Sequence, residues 1–113
     1  MIAVIFEVTP RDGARGADLD HAAALRAELE RMDGFLSVER FESLTHPGRL
    51  LSLSFWRDEA AVAAWRNHPT HRETQRIARD GLFADYALRV AGVLRGYTMR
   101  DRVEAPADSL AAL

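Results

Sequence analysis

Four residues close together in the chain carry usable chemistry: Trp65, His68, His71 and Gln75. Residues three or four apart on a helix share a stripe, so His71, Gln75 and Ala78 line up, with Arg72, Arg76 and Arg79 alongside. A neutral imidazole whose pKa lies near the operating pH can take a phenolic proton. The indole of Trp65 offers a flat apolar wall, and the Gln75 amide a polar contact. Each residue also has a plainer reading. Trp65 equally suits a helix–sheet interface, His71 a helix surface, and His68 a helix cap or turn beside Pro69. His68 and His71 lack an evident third ligand, so no metal site is expected.

Composition removes several alternatives. There is no cysteine, which excludes thiolate catalysis, disulfides and thiolate-bound metals. All 15 basic residues are arginine, so no lysine is present to form a Schiff base. No glycine-rich nucleotide cradle occurs. The net charge of −2 gives no electrostatic reason to expect nucleic acid or an anionic membrane as partner. No apolar run approaches a bilayer span, and MIAVIFEV has neither the basic start nor the cleavage site of a signal peptide. A cytoplasmic protein is expected. With 113 residues, 48% of them hydrophobic, one domain with a real core is expected.

The elements that must hold these residues follow from periodicity. Ile2 to Thr9 reads as a central strand, apolar on both faces, with Ile2, Val4, Phe6 and Val8 on one side. Asp18 is placed to cap a first helix, whose Ala22, Leu25, Leu29 and Met32 form its apolar face, and Gly34 to end it. Phe35 to Thr45 is a second strand, with Leu36, Val38 and Arg40 on one face and Phe35, Ser37, Glu39 and Phe41 on the other. The short turn His46-Pro47-Gly48-Arg49 makes it antiparallel to the strand Leu50 to Arg57. There Leu51, Leu53 and Phe55 alternate with Ser52, Ser54 and Trp56, predicting one packed face. Asp58 caps a short helix ending near Trp65, and Pro69 opens the next. Tyr86 to Met99 reads as a long last strand, with Gly92 and Gly96 marking a bulge or close backbone approach.

The order β-α-β-β-α-β, with the second helix broken in two, is the ferredoxin-like α+β pattern: a four-stranded antiparallel sheet with helices on one face. Its other face is left apolar and uncovered, which predicts a homodimer joined sheet to sheet. The segment 100–113 is expected to be disordered or laid on the partner subunit. Arg40 and Arg89 sit among apolar strand residues, where they snorkel, pair with Glu39, Glu42 or Asp85, or hold an oxyanion. Tyr86 and Tyr97 either pack or orient a substrate through their hydroxyls. His21 and His46 read as solvated.

The runs DGFLSVERFES, SLSFWRDEAAVAAW, NHPTHRETQ and FADYALRV…VLRGY resemble the antibiotic biosynthesis monooxygenase domain of the dimeric α+β barrel superfamily. The resemblance covers roughly residues 1–99. It implies a dimeric α+β barrel with a ligand cavity between sheet and helices in each subunit. The activity implied is oxidation of a small hydrophobic or aromatic phenol or quinol with O2, without a cofactor. Two other readings stay open: a non-catalytic dimeric module for a small ligand, and a haem-binding or haem-degrading protein. The haem-degrading branch relies on an asparagine on the first strand, a tryptophan closing the helix after strand three, and a later histidine. Trp65 matches the tryptophan, whereas Phe6 and Gln75 occupy the other two positions. His71, one turn before Gln75, would then be a shifted axial ligand. The residues expected at the site are therefore His71, His68 and Gln75 for catalysis and Trp65, Phe6, Arg40, Tyr86 and Tyr97 for substrate.

Overall fold

A computed structural model describes residues 1–111, except for the side chains of residues 74, 78–80 and 110–111. The expectations for Ala78 and Arg79 thus lie outside the described residues, as does the end of the tail, 112–113. Four strands, β1 (Ile2–Pro10), β2 (Phe35–Glu42), β3 (Leu50–Trp56) and β4 (Phe83–Gly92), alternate with α1 (Arg15–Glu30), α2 (Glu59–Arg66) and α3 (Pro69–Gly81). The sheet order is β2-β3-β1-β4, with every pairing antiparallel. This is the expected ferredoxin-like α+β fold, its two central strands being β3 and β1. No described helix is long and apolar enough to cross a membrane.

The helices cover the sheet face that carries Trp56. That ring is almost wholly buried and forms a core with Ala61, Val62 and Trp65 of α2. Ile2 and Val4 of β1 and Leu25, Leu29 and Met32 on and just beyond α1 pack around it. Strand alternation therefore puts Ser52 and Ser54 on the helix side and Leu51, Leu53 and Phe55 on the open side. The serine on the covered face has a use: Trp56 Nε1 donates to Ser54 Oγ at 3.0 Å, satisfying a buried indole N–H.

β2 departs from the expected alternation. Phe35 pairs with Trp56 while Ser37 pairs with Phe55, so Leu36 is an extra residue, a β-bulge. The bulge turns Phe35 onto the helix side, where its ring meets Trp56 edge-on with centroids 5.3 Å apart. Leu36 is left half exposed. β2 also ends at Glu42 rather than Thr45, and β4 runs from Phe83 to Gly92, so Gly92 ends the strand instead of bulging it. Beyond it, Val93 N still bonds Met1 O, and the tail is tied by Arg102 to Thr98 O and closed by α4 (Ala107–Ala111).

Local capping was readable in one place and not in another. Asp58 caps α2, its Oδ1 accepting from Ala61 N at 2.9 Å, which with Arg57 alongside holds its carboxyl below the usual range. Asp18 caps nothing. α1 already begins at Arg15, and the buried Asp18 carboxylate instead accepts from Arg40 Nη2 at 3.1 Å across to β2. α1 ends at Glu30, and Gly34 follows after a turn, with φ +85°.

Gly34 is also a point of close approach. A Cβ added there would fall 2.6 Å from Ala61 Cβ, and an L side chain at positive φ is strained in any case. Gly34→Ala should therefore cost about 1–3 kcal/mol, the usual penalty of overpacking. Thermal melting checks this, and an unchanged midpoint would show that α2 gives way freely.

Candidate active site

α2 ends at Arg66 and Pro69 opens α3, so only two residues separate the helices. His68 Nδ1 accepts from Thr70 N at 3.2 Å, which caps α3. An accepting Nδ1 places the proton of the neutral ring on Nε2. The tight connection folds three rings together. Trp65 meets His71 edge-on at 4.8 Å between centroids and His68 at 5.7 Å. Three of the four residues singled out at this corner are thus in contact. Gln75, one turn further along α3, is exposed.

His71 is the unusual member. It is half-buried, and its Nδ1 is shut off from solvent without a hydrogen-bond partner. Burial first, then the positive charge of Arg72 and that of His68 when it is protonated, push its pKa from 6.5 down to about 4. The ring therefore stays neutral at physiological pH, and Nε2 is the nitrogen left open to a ligand. It is a weaker base than a histidine of ordinary pKa. Proton transfer from a substrate nonetheless leaves the imidazolium beside the anion it creates, and that pair is neutral overall and less penalised by burial.

The same shift makes stability depend on pH. Between about 4 and 6.5 the unfolded chain binds a proton at His71 that the folded chain excludes. Stability is therefore intact above pH 6.5 and falls as pH drops toward 4. For a half-exposed ring, screened by solvent, the loss should be roughly 1–2 kcal/mol. Melting curves across this window should show a shallower decline for His71→Gln than for the native chain. Equal slopes would place the titration elsewhere.

A second cluster lies on the same helix side, on β1 and β4. Phe6, Phe83 and Tyr86 form a triangle of rings with centroids 5.8, 5.9 and 6.0 Å apart. Val4, two residues before Phe6 on that face, packs against the Trp65 core. Further along β4, Leu88 and Val90 continue the face, and Tyr86, Leu88 and Val90 stay 49%, 49% and 45% exposed, so the helices leave this strip open. A groove of about 390 Å³ runs beside it, lined by Glu59, Val62, Ala63 and Arg66 of α2 and by Val90.

The remaining expected residues are placed apart. Arg40 faces the helix side but holds the protein's own Asp18 carboxylate. Tyr97 lies beyond β4, its ring 4.9 Å beneath the Arg102 guanidinium. A hollow of about 400 Å³ at the β2–β3 turn shares no residue with the corner, and its His46 is engaged with Thr45 at 3.1 Å. Phe83, Leu88 and Val90 were missed as site residues. Alternation within YALRV already put Tyr86, Leu88 and Val90 on one face. What the sequence lacked was the knowledge that the helices leave that face open.

The family model for antibiotic biosynthesis monooxygenases matches residues 1–77. A jasmonate monooxygenase from the fungus Pyricularia oryzae is 47% identical over 93 residues, 82% of this chain and 43% of that protein. The chain thus spans less than half the length of that relative. The Bacillus subtilis protein YqjZ is 32% identical over 82% of this chain and 79% of its own. Among solved structures, Rv0793 of Mycobacterium tuberculosis superposes with a TM-score of 0.77 at 25% identity, covering 86% of this chain and 98% of that one. A Deinococcus radiodurans protein gives 0.78 at 13% identity, covering 88% and 98%. Sequence match and shared fold agree: the chain belongs to the antibiotic biosynthesis monooxygenase family.

Proposed function

We propose that this chain is a cofactor-independent monooxygenase that oxidises a small hydrophobic or aromatic substrate, of phenol or quinol type, with O2. The observation that carries the reading is His71: a neutral, half-buried imidazole set edge-on against Trp65, its Nδ1 shut off from solvent so that Nε2 is the nitrogen left to meet a substrate. His71 accepts the substrate proton, and the resulting electron-rich anion reduces O2. In an anthrone, conversion of the ring CH2 to C=O uses one O2 and releases one water; in a hydroquinone, conversion of a ring C–H to C–OH with oxidation to the hydroxyquinone does the same, so in each case the substrate supplies all four electrons. Trp65 backs the histidine, and the Phe6–Phe83–Tyr86 cluster with the open β4 strip receives the flat body of the substrate. His68 fixes the start of α3 and thereby the position of His71. The name of the fungal relative, a jasmonate monooxygenase, supports monooxygenase activity.

The chain's own residues argue against haem. Gln75 stands where the haem-degrading branch has its histidine, and it is exposed. Among the described residues, none of the histidines lines the α2–β4 groove.

A homodimer joined through the open sheet face belongs to the same proposal. Ile5, Leu51, Leu53 and Phe55 form a continuous apolar stripe there, opposite pairs being Ile5 with Leu53 and Ala3 with Phe55. Light scattering should return about twice the 12.6 kDa chain mass. A monomer at micromolar concentration would contradict it.

Activity is tested by oxygen uptake of chelator-treated protein with a panel of hydroquinones and anthrones, no reductant being added. Uptake of one O2 per substrate consumed, with no release of hydrogen peroxide, is expected. Binding of these compounds without uptake would instead make the chain a ligand-binding module.

A further inference from the structure

We infer that the groove between α2 and β4 binds substrates as carboxylates, with Arg66 as the residue that selects them. This deepens the proposed function by adding a charged group to the apolar substrate, and it rests on that reading only for the claim that the ligand is turned over. Glu59, Val62, Ala63 and Arg66 follow the i, i+3, i+4, i+7 spacing, so α2 turns one continuous stripe to the groove, in which Val62 is the edge of the core it forms with Ala61 and Trp65. The middle of the stripe is apolar, and across from it stands Val90, in line with Leu88 and Tyr86. From Tyr86 to Val90 the strand presents about 14 Å of half-exposed apolar surface, at about 3.4 Å per residue. That length suits a bicyclic or short aliphatic body.

The ends of the stripe differ in sign. Glu59 and Arg66 stand seven residues apart, about 10 Å along the helix at 1.5 Å per residue, too far to pair with each other. Among the described residues, the side chain of Arg66 makes no ion pair or hydrogen bond; Arg49, Arg95 and Arg100 share that state, but of these only Arg66 lines the groove, and Arg26, Arg40, Arg57, Arg76 and Arg89 each hold a carboxylate. An arginine left unpaired at the rim of an apolar groove is complementary to an amphipathic anion, since its planar fork takes a carboxylate through two parallel N–H···O bonds. Glu59 repels the same group at the far end, so the two charges fix which way the ligand lies. The apolar body then rests on Val62, Ala63 and Val90 and points along β4 toward Leu88 and Tyr86.

Calorimetric titration with 1-naphthylacetate and its primary amide tests this without any need for turnover. The acid is expected to bind at least about tenfold more tightly than the amide, the ratio one charge-assisted contact supplies. Arg66→Gln should erase that ratio while leaving the affinity for the amide unchanged, and Arg66→Lys should restore part of it. Glu59→Gln should tighten binding of the acid alone. The acid-over-amide ratio appearing in a chain that shows no oxygen uptake would leave this site standing while the catalytic reading fails, which separates the two. Equal affinities for acid and amide, no binding of either, or a ratio that survives in Arg66→Gln would overturn the assignment.

Discussion

Trp65→Ala is expected to lower stability by about 3–5 kcal/mol, the usual range for deleting a buried large aromatic ring. Trp65 is only 8% exposed and joins α2 to the core built on Trp56, Ala61 and Val62. Its removal leaves a cavity where β1, β3 and α2 meet, and it takes away the ring that His71 and His68 lean on. A domain of this size has roughly 5–15 kcal/mol in hand, so the variant should melt much earlier and be partly unfolded at modest denaturant. Chemical denaturation followed by circular dichroism measures the change. Because the histidines lose their support, the pKa of His71 should also rise toward the ordinary value as water enters. A Trp65→Ala protein with native stability would show that the indole lines an open pocket instead of the core.

Much of this was legible in the sequence where the cause is local. Strand alternation in IAVIFEVT, the capping carboxylate of Asp58, and Pro69 at the start of α3 each depend on neighbours a few residues away, and each stands as expected. What failed to show was non-local. The choice of Ser54 and Trp56 for the covered face is made by the helices that pack there, because the open face is apolar as well and alternation alone is symmetric. The bulge at Leu36, which moves Phe35 to the Trp56 side, arises in pairing with β3 and leaves no mark in FLSVERFE. Asp18 looked like a helix cap because carboxylates favour that place; its partner, Arg40, lies 22 residues away. At the site, the crowding of Trp65, His68 and His71 followed from helix spacing and the short turn. The depressed pKa of His71 did not, since it depends on burial. Arg66 passed unnoticed because an arginine in the last turn of a helix reads simply as a complement to the helix dipole.

Replacing His71 should have the opposite profile to replacing Trp65. In His71→Ala the backbone stays helical, alanine having the better propensity, and the buried nitrogen without a partner disappears. The fold should therefore melt at or above the native temperature at pH 7. Turnover should nevertheless drop by about 10²–10⁴ in kcat, the usual worth of a positioned general base. Gln75→Ala, on an exposed turn of α3, should change kcat far less. The most direct measurement is a side-by-side oxygen-uptake assay of the native chain and His71→Ala at pH 7, on a hydroquinone or anthrone that the native chain oxidises, with melting curves taken on the same samples. Loss of uptake by at least a hundredfold with an undiminished melting temperature is the predicted result; full uptake by the variant would contradict the assignment of His71 as the base.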